Sequence, residues 1–271
     1  MTVTRIIPHP RAGALPALWR GLERRWRSLL AGIGSDCPAC EGAARGGLLC
    51  QPCAQAVLEQ AAARRCPRCA VYLSAGQAGR HGGLCVECAL YPPAFVRAVA
   101  AFDYADPFDR LIARYKGARR HVVAGALAQV LAQAVRTAEA ARAPGPRTGR
   151  LPIDAVVPVP ASRASLRQRG FNPAGELARA LSRRLELRLL RGVLRRCRET
   201  GVRQASLARS EREAAALDAY LCTRRLDGLR IALVDDVMTT GSTADAAARA
   251  LLAAGAASVS VWVAARTPRP L

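Results

Sequence analysis

The chain has few aromatic residues, a single lysine and no long apolar run. Aromatic residues make up 4% of the 271 residues, so a surface that stacks on nucleic-acid bases is poorly supplied. Lys116 is the only lysine among the 41 basic residues, and arginine and alanine are abundant throughout, which indicates a coding bias rather than a basic tract. The net charge of +21 therefore permits contact with phosphate polymers without establishing it.

Two kinds of targeting segment are also missing from the sequence. No apolar run reaches the ~20 residues that a transmembrane helix needs, and residues 1–36 lack the continuous apolar stretch of a secretory signal, so we expect a cytoplasmic protein. Apolar residues do recur at helical spacing within 1–36, which predicts an amphipathic helical segment. Docking on its own protein is favoured over a membrane-surface position. These residues are Leu15, Leu18, Trp19, Leu22, Trp26, Leu29 and Leu30.

Cysteine spacing predicts a metal-binding module. Eight of the ten cysteines form four C-x-x-C pairs, separated by gaps of 9, 12 and 15 residues. Each pair places two thiolates on one side of a tight turn, and two pairs complete a tetrahedral site, so we expect two structural zinc ions. Disulfides would need an exported protein, and redox sites normally use a single pair. The predicted ligands are Cys37, Cys40, Cys50, Cys53, Cys66, Cys69, Cys85 and Cys88.

Residues 37–92 therefore read as a double zinc ribbon. The segment is rich in glycine and poor in large apolar residues, so we expect it to fold only with metal. Pairing of neighbours in the sequence, 37–53 and 66–88, is favoured, while an interleaved arrangement stays open. The cysteine-rich composition ends near Tyr91-Pro92-Pro93, which predicts a domain boundary there. Cys197 and Cys222 stand apart and are expected to be core or surface thiols.

Beyond the boundary, the chain alternates apolar strands with helices. This pattern predicts an α/β fold over 93–271, with a parallel sheet and helices on both faces. We expect strands at 95–104, 153–159, 192–196, 230–235 and 258–264, and helices at 107–115, 122–141, 173–187, 205–217 and 242–254. Open parallel sheets bind ligands at the carboxyl ends of their strands, so the residues that follow the strands are the candidates for a site.

One strand end combines an acidic pair with a loop of small hydroxyl residues. Asp235 and Asp236 follow the buried stretch 231–234, and the loop leads into the helix 242–254. Loop N–H groups and a helix N-terminus favour a phosphate, while carboxylates suit ribose hydroxyls or water on a cation. An ordinary helix cap explains one acid or one hydroxyl, but not the whole run. The predicted sugar-phosphate site is Asp235, Asp236, Thr239, Thr240, Gly241, Ser242 and Thr243.

A second strand end, Pro158-Val159-Pro160, leads into a basic loop at 163–172. Arg167 and Arg169 can offer bidentate donors to pyrophosphate, although an ordinary solvated arginine-rich loop is the alternative. Asn172 before Pro173 predicts the start of a helix with Asn172 as its N-cap. The lone Lys116 marks either a place that needs a compact ammonium or a surface lysine that has escaped replacement.

The acidic-hydroxyl run resembles the binding signature of type I phosphoribosyltransferases, and the order of motifs along 37–267 resembles the ComF/GntX family. Besides the four cysteine pairs, the residues that carry this resemblance are Tyr104, Pro107, Lys116, Pro158, Pro160, Arg169, Gly170, Phe171, Asn172, Thr200, Gln204, Leu207, Arg212 and 234–241. The resemblance implies a double zinc ribbon joined to a phosphoribosyltransferase-like domain. Ala215 and Tyr220 depart from the family pattern, which has Asn and Phe there, so one side of the pocket is in question.

The same resemblance implies a function. The two acids would hold the ribose hydroxyls of phosphoribosyl pyrophosphate (PRPP), the loop would hold its 5′-phosphate, and Mg²⁺ would accompany it. The family is associated with natural competence, the uptake of transforming DNA. If the site is catalytic, it transfers a phosphoribosyl group to an acceptor that the sequence does not name, and the leaving pyrophosphate is stabilised electrostatically. The candidate catalytic residues are Lys116, Arg167 and Arg169.

A non-catalytic adaptor is the alternative function. Its ribbons would bind a helicase-like partner or single-stranded DNA, because zinc ribbons more often bind macromolecules than catalyse. The basic residues expected on this surface are Arg64, Arg65, Arg68 and Arg80. Because both strand-end groups lie in 93–271, we expect that segment to bind a sugar phosphate without the ribbons.

Overall fold

The computed structural model describes residues 32–78, 80–117, 120–141, 151–197 and 219–268. Most of the predicted amphipathic segment 1–36 lies outside the described residues, and so does the predicted helix 205–217. The expectations for Thr200, Gln204, Leu207, Arg212 and Ala215 also fall outside them and stay predictions. Within the described ranges, no helix is both long enough and apolar enough to cross a bilayer.

Strands and helices alternate over most of the described chain. The strands are β1 (Gly34–Asp36), β2 (Ala43–Arg45), β3 (Arg97–Asp103), β4 (Ala155–Pro158), β5 (Arg188–Leu189), β6 (Leu194–Arg196), β7 (Tyr220–Cys222), β8 (Arg230–Met238) and β9 (Ser258–Arg266). The helices are α1 (Gln51–Ala62), α2 (Ala75–Ala78), α3 (Val86–Leu90), α4 (Asp109–Lys116), α5 (Arg120–Ala140), α6 (Arg163–Arg169), α7 (Pro173–Leu185) and α8 (Ser242–Ala253).

Five strands form one parallel sheet in the order β3-β9-β8-β4-β5, and β1–β2 and β6–β7 form two small two-stranded antiparallel sheets. One face of the sheet packs against α5 and α7, where Leu127 and Leu177 are fully buried with Trp262. The other face packs against α8, where Leu251 is buried with Leu233. The predicted α/β fold, with helices on both faces of a parallel sheet, is confirmed.

Burial on both faces explains why the strands read as continuous apolar runs. Residues 231–234 of β8 are completely buried, and they alternate between the two cores. However, β8 and β9 are longer than predicted, because they end at Met238 and Arg266 rather than at 235 and 264. The two strands stay paired through the register Met238↔Arg266, so backbone pairing continues past the point where polar side chains begin. The acidic pair therefore lies within a strand.

The cysteine-rich segment packs directly on the sheet domain. Cys37, Leu49 and Val57 belong to the same hydrophobic core as Phe102 of β3. Beside them, Asp103 accepts a 2.7 Å hydrogen bond from the Arg65 guanidinium. The hydrophobic core therefore crosses the sequence position at which the composition predicts a domain boundary. The division into 37–92 and 93–271 stays a prediction about folding units.

Candidate functional site

The eight paired cysteines form two separate tetracysteine groups. The first group is Cys37, Cys40, Cys50 and Cys53, and the second is Cys66, Cys69, Cys85 and Cys88. In each group the four Sγ atoms lie within 4.8 Å of one another. Pairing therefore follows the sequence order, and the interleaved alternative is wrong.

The sulfur positions in both groups fit a tetrahedral zinc ion. A Zn–S bond of about 2.3 Å places two ligand sulfurs about 3.8 Å apart. Cys40 Sγ and Cys50 Sγ are 3.7 Å apart, and Cys69 Sγ and Cys85 Sγ are 3.6 Å apart. In each group the backbone N–H of the third cysteine also donates to the Sγ of the first, at 3.4 Å, which stabilises a thiolate there.

The two groups differ in exposure to solvent. All four cysteines of the second group are buried, whereas Cys40 is exposed and Cys50 and Cys53 are half-buried. The second group also has its own small apolar core, which includes Val71 and Leu73. A metal in the first group would therefore be more accessible to competing ligands than a metal in the second.

The acidic pair lies near the carboxyl end of β8, beyond the end of its neighbour β4. Pro158 at the end of β4 is in register with Val234, and Val159 N donates to Val234 O at 2.9 Å. Asp235 and Asp236 therefore lie just past the last β4–β8 pair. Asp235 Oδ1 accepts from Asp236 N at 2.9 Å, which holds the two carboxylates close to each other.

The two carboxylates differ in electrostatic environment. Burial raises the pKa of Asp235 well above its usual range, and the neighbouring Asp236 carboxylate raises it further. Asp236 pairs with the Lys116 ammonium, since Nζ lies 3.1 Å from Oδ2. This Oδ2 is shielded from solvent, and among the described residues its polar contact is the ion pair with Lys116. The acidic pair therefore contains one carboxylate whose negative charge is offset by an ammonium.

The hydroxyl-rich loop forms the N-terminal entry to α8. Thr239, Thr240 and Gly241 form the loop, and Ser242 and Thr243 are the first residues of the helix. Gly241 has a φ of 91°, a left-handed conformation that costs glycine little and lets the chain turn sharply into the helix. The hydroxyl oxygens of Thr240 and Ser242 lie 3.0 Å apart.

Those residues give the loop the properties of an anion site. Thr239, Thr240, Ser242 and Thr243 are exposed, and Gly241 is half-buried. The positive end of the helix dipole lies at the first turn of α8, where Ser242 N donates to Thr240 Oγ1 at 3.3 Å. The structure places the acidic pair and the hydroxyl loop next to each other at the carboxyl end of β8, and their role towards a sugar phosphate stays a prediction.

The predicted basic loop after β4 is largely helical. Residues 163–169 form α6, which Ser162 caps by accepting from Ser165 N at 3.0 Å, and Gly170 ends it with a φ of 73°. A loop prediction was wrong here because the capping serine was not recognised as a helix start. Asn172 does precede α7, but its side chain donates to Val159 O at 2.9 Å instead of capping the helix.

Arg167 and Arg169 lie in the last turn of α6, Arg167 exposed and Arg169 half-buried. No ion pair joins either of them to an acid among the described residues, so both guanidinium groups are available to an anion. Their role towards pyrophosphate stays a prediction.

Tyr115 connects the lysine to the loop after β4. Its ring lies 6.4 Å from that of Phe171 in an edge-to-face arrangement, and its hydroxyl donates to Pro173 O. Burial raises the pKa of Tyr115, and the Asp236 carboxylate adds to the effect, so the phenol stays neutral. The fully buried Tyr115 therefore fixes the end of α4 against the α6–α7 junction and places Lys116 at Asp236. Sequence reasoning missed this residue, whose signal was its position beside Lys116.

Two other expectations need correction or refinement. Arg65 was expected on an exposed basic surface, but its side chain is only 9% exposed and is paired with Asp103. Tyr220, the departure from the family pattern, is buried in β7, and the Arg196 guanidinium lies 5.8 Å from its ring centroid. Burial raises the pKa of Tyr220, with a smaller contribution from Asp235 in the same direction, so this side of the pocket is occupied by a neutral phenol.

Arg266 is a further residue that the sequence reasoning missed. It ends β9 between β3 and β8, is completely buried, and hydrogen-bonds Met238 O at the start of the hydroxyl loop. A charged residue directly after the apolar run 261–265 was the available signal. The inward direction of the Arg266 side chain was not predictable, because an arginine at the end of a strand normally points into solvent.

Comparison with known proteins is consistent with this geometry. Residues 164–270 match the family described as "Phosphoribosyl transferase domain". The chain is 34% identical to "DNA utilization protein YhgH" of Salmonella typhi over 81% of its own length and 90% of that protein. It is 31% identical to "Competence protein F" of Haemophilus influenzae over 67% and 78% of the two chains. With "Competence protein ComFC" of Bacillus subtilis it shares 34% identity over 41% and 44%.

Proposed function

The chain belongs to the ComF family, in which a zinc ribbon is joined to a phosphoribosyltransferase-like domain, and from this membership we propose that it binds PRPP and acts in the uptake or use of DNA. The names of its relatives, competence protein and DNA utilization protein, support the DNA role. We also propose the organisation into 1–36, 37–92 and 93–271, and a cytoplasmic location, because unoxidised tetrathiolate sites need a reducing compartment.

The proposal rests on one observation: the acidic pair and the hydroxyl loop lie next to each other at the carboxyl end of β8. Asp235 and Asp236 offer carboxyl oxygens to the ribose 2′- and 3′-hydroxyls, and the ion pair with Lys116 holds the Asp236 carboxylate in position. The 5′-phosphate lies against the loop 239–241 and the first turn of α8, where Ser242 and Thr243 add hydroxyl donors.

The pyrophosphate group faces the basic side of the site. The Lys116 ammonium lies 3.1 Å from Asp236 Oδ2, and Arg167 and Arg169 lie in the last turn of α6, the helix that follows β4. If Mg²⁺ accompanies PRPP, the carboxyl groups of Asp235 and Asp236 would be the residues able to hold its water shell, and the ion would neutralise phosphate charge. The basic side chains orient the pyrophosphate and offset its negative charge, and the acids hold the ribose.

We propose that one zinc ion occupies each tetracysteine group. The sulfur spacings match tetrahedral coordination, and the N–H donors to Cys37 and Cys66 favour the thiolate form that zinc requires. The chemistry of four thiolates in tetrahedral geometry selects zinc or an iron–sulfur centre over magnesium or calcium.

Two measurements test this function and separate an enzyme from a binding protein. Calorimetric titration of the full chain with PRPP, ribose 5-phosphate and pyrophosphate, each with Mg²⁺, is expected to rank PRPP as the tightest ligand. Equal affinity for PRPP and pyrophosphate would show that the acids do not hold a ribose. Exchange of labelled pyrophosphate into PRPP across candidate acceptors then reports catalysis, and binding without any exchange identifies a sensor or adaptor.

A further inference from the structure

Arg266 physically joins the second tetracysteine group to the phosphate loop. Its Nε donates to Cys69 O at 3.0 Å, and its Nη1 donates to Met238 O at 3.0 Å and also to Thr239 O. The side chain is completely buried, so these carbonyls take the place of water for its charge. One guanidinium thus bridges a ligand residue of the metal group and the first residue of the loop.

The Cys69 carbonyl owes its direction to the turn that carries the thiolates. Ala70 N donates to Cys66 O at 2.8 Å, and Cys66 N donates to Val71 O at 2.8 Å, so the turn is closed from both sides. Ala70 has a φ of 58°, an unfavourable conformation for a residue with a Cβ, and such a turn persists only where its surroundings hold it. Arg65 Nη1 donates to Ala70 O at 3.0 Å, and a metal bound by Cys66 and Cys69 would add a further restraint on the turn.

The start of the hydroxyl loop is held by the same Arg266 guanidinium. Met238 is the last residue of β8, and its carbonyl also accepts from Thr267 N at 3.0 Å. The Thr239 carbonyl accepts from Arg266, which fixes the peptide unit that leads into Thr240 and Gly241. Because a phosphate is bound by the orientation of successive loop N–H groups, a change in this peptide alters the site.

We propose that Arg266 is a positioning residue that couples metal binding in the second tetracysteine group to sugar-phosphate binding at the loop. The coupling is reciprocal, so PRPP strengthens the affinity of the second group for zinc, and zinc there strengthens PRPP binding. The inference rests on the proposed PRPP site. It reverses the sequence expectation for 93–271, because that segment without its ribbons lacks the Cys69 contact and should bind PRPP more weakly.

Arg65 provides a matched control for Arg266. It is also a nearly buried arginine that joins the second group to the sheet domain, since it donates to Ala70 O at 3.0 Å and to Asp103 at 2.7 Å. Its contacts lead to the end of β3 and not to the loop. Replacement of Arg65 by lysine therefore disturbs the same interface without touching the Thr239 peptide.

The experiment measures zinc affinity with and without PRPP in full-length protein. Zinc bound per chain is followed at equilibrium across a series of zinc buffers, and the Cys40→Ser variant identifies the step that belongs to the second group. In the wild type, saturating PRPP should tighten that step by about fivefold or more, the lower end of ordinary allosteric coupling. The zinc affinity of the first tetracysteine group should not change when PRPP is added. An Asp235→Asn, Asp236→Asn double variant controls for zinc chelation by free PRPP.

The variants separate coupling from stability. Arg266→Lys keeps the charge but loses the planar fork that reaches several carbonyls, so the effect of PRPP on zinc should disappear while both zinc ions still bind. The Arg65→Lys variant should retain the effect of PRPP on zinc affinity. A wild type that binds PRPP with no change in zinc affinity overturns the coupling, even if Arg266→Lys does not fold, and so does an unchanged response in Arg266→Lys. A wild type that binds no PRPP overturns the proposed function, and the coupling with it.

Discussion

The ammonium of Lys116 lies 3.1 Å from Asp236 Oδ2, so the end of α4 and the acidic part of β8 form one electrostatic unit. The chain's single lysine is thus placed inside the candidate site rather than on a remote surface. Its side chain is 30% exposed, which leaves the ammonium accessible to a ligand that binds beside Asp236. A compact charge that pairs with the acid in the free protein can also contact the pyrophosphate of a bound PRPP.

Lys116→Ala is expected to weaken PRPP binding by about tenfold, because it removes one charge-assisted contact worth about 1.4 kcal/mol. Calorimetry with PRPP and Mg²⁺ measures this change. Arg110→Ala is the control, since Arg110 lies on the same helix but its side chain is 73% exposed and pairs loosely with Asp106. Equal affinity in the wild type and Lys116→Ala would remove the lysine from the site.

Metal analysis of reduced, folded protein is expected to return two zinc ions per chain. The two should differ in lability, because the first group includes the exposed Cys40 while the second is wholly buried. A chelator should therefore remove zinc from the first group before the second. Cys40→Ser should abolish the fast phase alone, and loss of the slow phase in that variant would contradict the order.

Asp235→Asn is expected to stabilise the fold at pH 8. Burial and Asp236 raise the pKa of Asp235, so between about pH 4 and the raised value the folded chain holds a proton that the unfolded chain has lost. Stability therefore falls as pH rises through this window, and asparagine avoids the loss. The gain in Tm should be larger at pH 8 than at pH 4, at the lower end of this window. Asp227→Asn, at an exposed carboxylate paired with Arg225, should give no gain at either pH.

The fold was predictable from the sequence because its strands are buried on both faces and separated by amphipathic helices. The eight ligand cysteines followed from the C-x-x-C spacing, whereas the structure was needed to exclude the interleaved grouping. The acidic pair and the hydroxyl loop followed from their order in 235–243, a signal contained in one short stretch of sequence.

The remaining parts of the site depend on contacts between distant residues. Arg266 reaches Cys69 across 197 positions of sequence, and Arg65 reaches Asp103 across 38, so no local pattern could predict that either arginine points inward. The α6 helix was missed for a different reason. An arginine-rich stretch of seven residues has no apolar face to reveal helical periodicity, and only its capping serine and terminal glycine mark it.

Single-stranded DNA binding, which the adaptor role requires, is expected to be weak and sensitive to salt. Arg64 and Arg80 are exposed near the second group, whereas Arg65 is paired internally. Replacing both exposed arginines with alanine should lower affinity and flatten the dependence of log K on log salt by about 0.7 for each lost phosphate contact. The control is an alanine variant of the exposed Arg224 and Arg225, which removes the same amount of positive charge from a surface outside the cysteine-rich segment. An equal loss in both variants would show that only net charge matters.

Titration of PRPP into the wild type and into the Asp235→Asn, Asp236→Asn double variant tests the central claim most directly. A variant of two exposed acids, Asp106→Asn with Asp227→Asn, removes two carboxyl groups elsewhere and should bind as the wild type does. We expect PRPP to bind the wild type with Mg²⁺ and to lose at least about thirtyfold in affinity in the site variant. A hydrogen bond to the charged Asp236 is lost at about 1.5 kcal/mol or more, and one to Asp235, whose raised pKa favours the neutral acid, at about 0.5 kcal/mol or more. Unchanged affinity in the site variant would contradict the assignment of this acidic pair to a ribose.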